Sequence, residues 1–290
     1  DRTLYHYIGF LIEYKSDIKR LMDASTSMSK TMFLNEFIKN EISEKVAGIN
    51  LDDLSFNDSK GNVKKILLLF NILTVLQDKK SDLRFPFNKY KVEKWDIEHV
   101  CSQTDKLITD ENQRRLWITD MFEYFVGSSS DEDIENYIES LKEQITLYND
   151  SSDIQEKANL LSLRSELDVI ERIVELSKTV DKINDTEFDE AFKKVQSHFM
   201  EDKITDKDSI ANLALLDQET NRSYGNAYFP IKRKRIISND KMGIFVPIAT
   251  KNLFLKYYSR KSNSLMSWQE SDANDYLDNI KSLVSPFIKA

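Results

Sequence analysis

The chain has very little of what shapes disulfide-rich, membrane-spanning or turn-dense proteins. A single cysteine, Cys101, excludes an internal disulfide framework and any zinc site built from paired cysteines. A reducing, cytoplasmic setting is therefore expected, and any metal must be bound through oxygen and nitrogen. Six glycines and four prolines in 290 residues leave few breaker positions, which points to long helices. The longest apolar stretch, Ile66 to Leu76, is interrupted by Asn71 and Thr74 and falls far short of the roughly 20 residues that a membrane span needs. It is expected to be a buried helix, and no membrane partner is expected.

What is present suits a helical globular protein. Apolar residues make up 40% of the chain, enough to fill the core of one large domain or two ordinary ones. Segments near 3–22, 30–46, 62–79, 111–125, 131–148, 153–178, 187–200 and 272–284 repeat apolar residues every three or four positions. The expected fold class is mainly α. Ser129 followed by Glu132 suggests a capping box for the helix over 131–148, after a loop at Gly127-Ser128-Ser129-Ser130. Two stretches break the pattern. In Leu83 to Gln103, Phe85-Pro86-Phe87 and Trp95 to Val100 read as extended, and a regular strand would put Ile97 and His99 on one face with Asp96, Glu98 and Val100 on the other. The second stretch runs from Ile210 to Thr250.

Charge is unevenly spread. The net charge of -8 argues by itself against a nucleic-acid partner. Between Asp131 and Lys157, however, nine acidic residues face two lysines, whereas between Arg222 and Lys261 ten basic residues face Asp240 alone. A basic island therefore sits in the C-terminal third. Its run Lys232-Arg233-Lys234-Arg235 reads either as a solvated helix face or as a set of phosphate contacts.

Hydrolysis of a phosphodiester requires an activated water, a cation on the phosphate and leaving oxygens, and a held phosphate. Neutral imidazole is a base suited to pH 7, and a carboxylate with an amide oxygen can hold one Mg2+ that retains several waters. Glu98, His99, Asn212 and Asn221 are the residue types required.

Those residues carry a family resemblance. The Glu98-His99 pair after an aromatic extended segment, then Asn212-Leu213-Ala214-Leu215-Leu216-Asp217, then Asn221-Arg222-Ser223-Tyr224-Gly225-Asn226-Ala227-Tyr228-Phe229-Pro230-Ile231-Lys232-Arg233, resembles the HNH domain of GmrSD-type and SspE-type proteins. These are bacterial anti-phage restriction factors that act on modified DNA. The resemblance covers about 83–103 and 209–290 well and 1–80 more loosely. It implies helical lobes around a small ββα-metal (His-Me finger) core. The implied function is a Mg2+- or Mn2+-dependent DNA endonuclease or nickase that leaves 5′-phosphate and 3′-hydroxyl ends.

Carried over by position, His99 matches the general base and Asn212 the central Asn that pins the finger's loop. Glu98 and Asn221 match the metal ligands. Asn226, Lys232, Arg233, Lys234 and Arg235 fall where phosphate contacts are expected. The 113 positions from His99 to Asn212 far exceed a minimal finger, so a helical insertion is expected at about 104–208 within a nuclease domain 83–290, behind an N-terminal helical region 1–82. The family also implies a preceding nucleotide-hydrolysing domain in a longer polypeptide, in keeping with a chain that opens inside a helical pattern without Met, and it leaves room for a homo-oligomer.

Two other readings stay open: a DNA-binding or sensor module that has the finger's shape without catalysis, and a helical assembly domain. His6 and His198 read as packed structural residues and Cys101 as a small buried side chain. Asp96 is either a partner of the metal site or exposed strand surface.

Overall fold

Helix boundaries follow local capping chemistry. In a computed structural model, residues 1–102, 108–149, 153–200, 204–218, 227–261 and 264–288 are described. Asp1 accepts hydrogen bonds from the Thr3 and Leu4 amides and opens α1 (Arg2–Glu13). The sequence pattern runs unbroken over 3–22, but the chain turns at Lys15, which is left-handed (φ 53°). Asp17 then caps a separate α2 (Ile18–Ser27) through the Lys19 and Arg20 amides. The apolar spacing continues through the break; the cap decides the boundary. α3 (Lys30–Met32), a π-helical turn (Phe33–Ile38) and α4 (Lys39–Val46) form one continuous helical stretch.

α5 (Phe56–Gln77) is the central helix. Its residues Ile66 to Val75 are all buried, as expected of the long apolar run. The two polar interruptions are satisfied internally. Asn71 donates to the Leu67 carbonyl (2.9 Å) and accepts from the Ala249 amide (3.1 Å), and Thr74 donates to the Phe70 carbonyl (2.8 Å). α6 (Phe87–Val92) starts with Pro86 in the cap position, so Phe87 is helical rather than extended. Proline suits a helix start because the amide it lacks would have had no intrahelical partner.

The two strands are short and far apart in sequence. β1 (Asp96–His99) and β2 (Leu213–Leu216) pair antiparallel, with His99 opposite Leu213 and Asp96 opposite Leu216. Two strands alone are marginal in water. Here α5 packs on both strands, and two side chains complete the hydrogen bonding of β2: Thr250 donates to the Leu215 carbonyl (2.6 Å) and Tyr276 to that of Leu213 (3.1 Å).

Between the strands lie α7 (Glu111–Phe125), α8 (Asp131–Tyr148), α9 (Ile154–Ser177) and α10 (Asp185–His198). Gly127 (φ 83°) follows the end of α7. α8 is capped one residue later than expected: Ser130, rather than Ser129, accepts from the Asp133 amide and donates to the Asp133 carboxylate. After β2 come α11 (Phe229–Lys241), α12 (Ile248–Phe254) and α13 (Glu270–Val284), the last opened by a Gln269–Asp272 capping box.

The chain forms two compact units. One comprises Asp1–Cys101, Ile204–Gly225 and Lys232–Ala290; the other comprises Ser102–Lys203 and Asn226–Ile231. α5, in the first unit, packs directly on both strands. In the second unit the buried Arg114 joins three segments, donating to the carbonyls of Ile108 (2.6 Å) and Ile183 (2.7 Å) and pairing with Asp185 (2.7 Å). Among the described residues no helix is long and apolar enough to cross a membrane.

Replacing Thr250 with the isosteric Val leaves the buried Leu215 carbonyl without its partner. A loss of about 1–3 kcal/mol is expected in urea unfolding, with an unchanged slope; an unaltered midpoint would mean that the Leu215 carbonyl finds another donor.

Candidate active site

His99 is the last residue of β1, and the chain beyond it is stapled by Asn212. The Asn212 carbonyl accepts from the Val100 amide (2.8 Å), and its Oδ1 accepts from the Cys101 amide (2.9 Å). Its Nδ2 donates to the carbonyls of Cys101 (3.2 Å) and Lys207 (2.8 Å). A fully buried amide side chain that makes three bonds and leaves neither end unpaired resists rotation. It fixes the end of β1 against the turn that leads into β2.

The imidazole of His99 is held from the side. Its Nε2 lies 3.0 Å from Asp208 Oδ1, and the ring of Phe56 stands edge-on at 4.9 Å between centroids. Nδ1 has no hydrogen-bond partner among the described residues. Only 14% of the side chain is exposed. Burial pushes its pKa below the ordinary 6.5; the hydrogen bond to Asp208 opposes that shift, and the nearby Lys232 and Lys60 ammoniums reinforce it. The ring is thus neutral near pH 7 and able to take a proton.

Glu98 does not share the open side of His99. It is buried, with Oε1 2.6 Å from the equally buried ammonium of Lys232, which also donates to the His99 carbonyl at 2.6 Å. Burial raises the Glu98 pKa and attraction to Lys232 counters it. The unbroken register with β2 agrees with the expected alternation of faces, but burial does not follow it: Ile97 and Glu98 are both buried, and Asp96 and His99 are half-buried. Lys232 on α11 provides the charged partner of the buried Glu98. Asp96, one of the two open readings, pairs with Lys60 (3.0 Å) and is one-third exposed.

The basic run on α11 is therefore divided. Lys232 points inward, so phosphate contact by its ammonium, expected from the sequence, is precluded by burial and by its two partners. Lys234 is exposed, Arg233 and Arg235 are half-buried, and Arg233 Nε has no hydrogen-bond partner among the described residues. Asn221 and Asn226 lie outside the described residues. Among the described residues no three His, Cys, Asp or Glu side chains gather to hold a metal. Of the two expected metal ligands the structure describes Glu98, whose Oε2 makes no hydrogen bond or ion pair among the described residues; a carboxylate oxygen suits a hard ion that keeps several waters.

The other sequence candidates are placed simply. His6 is buried and links α1 to the chain before α6, its Nδ1 2.6 Å from the Arg2 carbonyl and its Nε2 accepting from the Phe85 amide at 2.9 Å. His198 Nδ1 lies 2.9 Å from the Ser165 hydroxyl. Cys101 is a buried free thiol. Sequence reasoning missed Asp208 and Asn57. An acidic turn just before Asn212 was visible, but nothing in the spacing ties it to His99 across 109 positions.

Charge separates by unit. The unit that holds His99 has 29 Lys and Arg against 24 Asp and Glu, whereas the other has 12 against 25. The overall acidity of the chain thus belongs to the helical insertion, and the site sits in a net-basic body.

Two outcomes are expected. Lys232→Met removes one partner of a buried pair and should cost about 3–5 kcal/mol in denaturant unfolding; a loss below about 1 kcal/mol would show that Glu98 is readily rehydrated. Burial also holds all three histidines below 6.5. As pH falls through 6.5 the denatured chain binds protons that the native rings refuse, so stability should fall there and level off below the folded-state values. Subtracting the stability–pH curve of His99→Gln from that of the wild type isolates this residue's share, and a difference independent of pH would contradict the shift. Comparisons with family models, with curated proteins and with solved structures found no match.

Proposed function

We propose that this chain is a metal-dependent HNH-type DNA endonuclease or nickase of the kind used in restriction of foreign or modified DNA. The observation that carries this reading is the stapling of the His99-bearing strand end by Asn212. A strand ending in a laterally held imidazole, a second strand opened by the locking Asn and a basic helix following support the same reading, because a ββα finger needs parts of these kinds in this order. The resemblance in sequence and this geometry point the same way.

In this reading His99 takes a proton from water, and the resulting hydroxide attacks phosphorus. Glu98 and Asn221 would hold Mg2+ or Mn2+, which supplies charge stabilisation on the phosphate oxygens when bound. Lys232 keeps Glu98 and the His99 carbonyl in register and does not touch the substrate. Phosphate contact falls to the outer part of α11, Arg233, Lys234 and Arg235, which gives affinity largely independent of sequence.

The test is plasmid nicking with Mg2+ or Mn2+. His99→Ala should abolish product while leaving the fold and DNA binding intact; undiminished nicking by that variant would defeat the assignment. DNA binding by the wild type without any metal-dependent product would favour a non-catalytic DNA-binding module instead.

A further inference from the structure

The base reading leaves open which nitrogen of His99 acts, and the surroundings of the ring decide it. A neutral imidazole has one N–H and one lone pair. A carboxylate only accepts, so Asp208 Oδ1 at 3.0 Å from Nε2 places the proton on Nε2 and the lone pair on Nδ1. Nδ1 is also the nitrogen without a hydrogen-bond partner among the described residues.

Asp208 is in turn held by a segment from the far N-terminal side. Leu54 accepts from the Ile210 amide (2.9 Å), Ser55 bridges Ser209, and the Phe56 amide donates to the Asp208 carbonyl (2.9 Å). This short antiparallel stitch brings two side chains to the site. Asn57 donates through Nδ2 to the second carboxylate oxygen of Asp208, and Phe56 covers the edge of the imidazole. Asp206 completes the turn, its carboxylate accepting from the Asp208 and Ser209 amides (3.1 Å each). Each oxygen of Asp208 thus faces a different partner, one orienting the carboxylate and one oriented by it.

We propose that Asp208 and Asn57 are positioning residues, which lock His99 with its proton on Nε2 and so present Nδ1 as the base. The inference rests on the nuclease reading of His99. In the step it serves, Nδ1 takes a proton from water and becomes part of an imidazolium whose Nε2–H still faces Asp208. The hydroxide forms a bond to phosphorus as the bond to the 3′ oxygen breaks, and that oxygen takes a proton from solvent. The imidazolium then returns its proton to water.

The experiment joins a spectroscopic and a kinetic readout on the full chain. With only three histidines, long-range proton–nitrogen NMR of the 15N-labelled protein assigns each ring's tautomer. Wild-type His99 should show the Nε2–H form. Asp208→Asn and Asn57→Ala should give mixed tautomers and lower kcat for plasmid nicking by on the order of 10- to 100-fold, with KM unchanged, and Asn57→Gln should restore part of the loss. Asn57 is exposed, so its replacement tests the idea without unfolding the protein. A wild-type His99 protonated on Nδ1, or an Asp208→Asn variant with wild-type tautomer and rate, overturns the proposal even if the enzyme nicks DNA. A wild type that nicks nothing while its Nε2–H form is lost in Asp208→Asn overturns the base reading instead, and the catalytic role of the pair with it.

Discussion

Asn212 joins pieces of chain that have no other reason to meet. Its side chain and carbonyl bond the backbone of Val100, Cys101 and Lys207, so the end of β1 and the turn before β2 share one buried polar centre. Every bond is to main chain, which makes the arrangement insensitive to the surrounding side chains and demanding of the Asn itself: no other residue type offers an acceptor and two donors in so short a reach. The contact supports the register of the two strands and the position of His99 at the end of β1. The helical unit inserted between the two halves does not weaken the logic, because the entropy of closing a loop rises only slowly with its length.

The second constraint is electrostatic. Glu98 and Lys232 are both withdrawn from water, an arrangement that gains little net stability but penalises any structure in which either loses the other. The second contact of Lys232, to the His99 carbonyl, connects α11 to the strand end. The helix is thereby registered to β1 by one ammonium, and the outer residues of the same helix are left for other work. Around this, His99 is kept neutral by burial while Asp208 orients it, a pairing in which desolvation sets the protonation state and the hydrogen bond sets the tautomer.

Most helices were legible because they follow a simple rule, apolar residues on one face. The run 66–76, the stretch 30–46 and the four helices of the insertion follow it closely. Failures occurred where a local cap residue overrode the pattern: Asp17 opening a second helix, Ser130 capping in place of Ser129, and Pro86 starting α6. In the site, Glu98, His99 and Asn212 stood out by residue type and neighbourhood. The inward turn of Lys232 did not, since a run of four cations gives no sign of which one faces the interior.

By itself the sequence determined the helical class, the extended segment that ends at His99 and the residue types able to do acid–base and phosphate chemistry, because propensity, periodicity and residue type are local properties. Only the tertiary structure decided that α5 belongs with the strands, that Lys232 neutralises Glu98, that Asp208 reaches His99 and that Asn57 reaches Asp208. The last three are meetings across 109 to 151 positions, and all depend on how the helices pack, which no local pattern encodes.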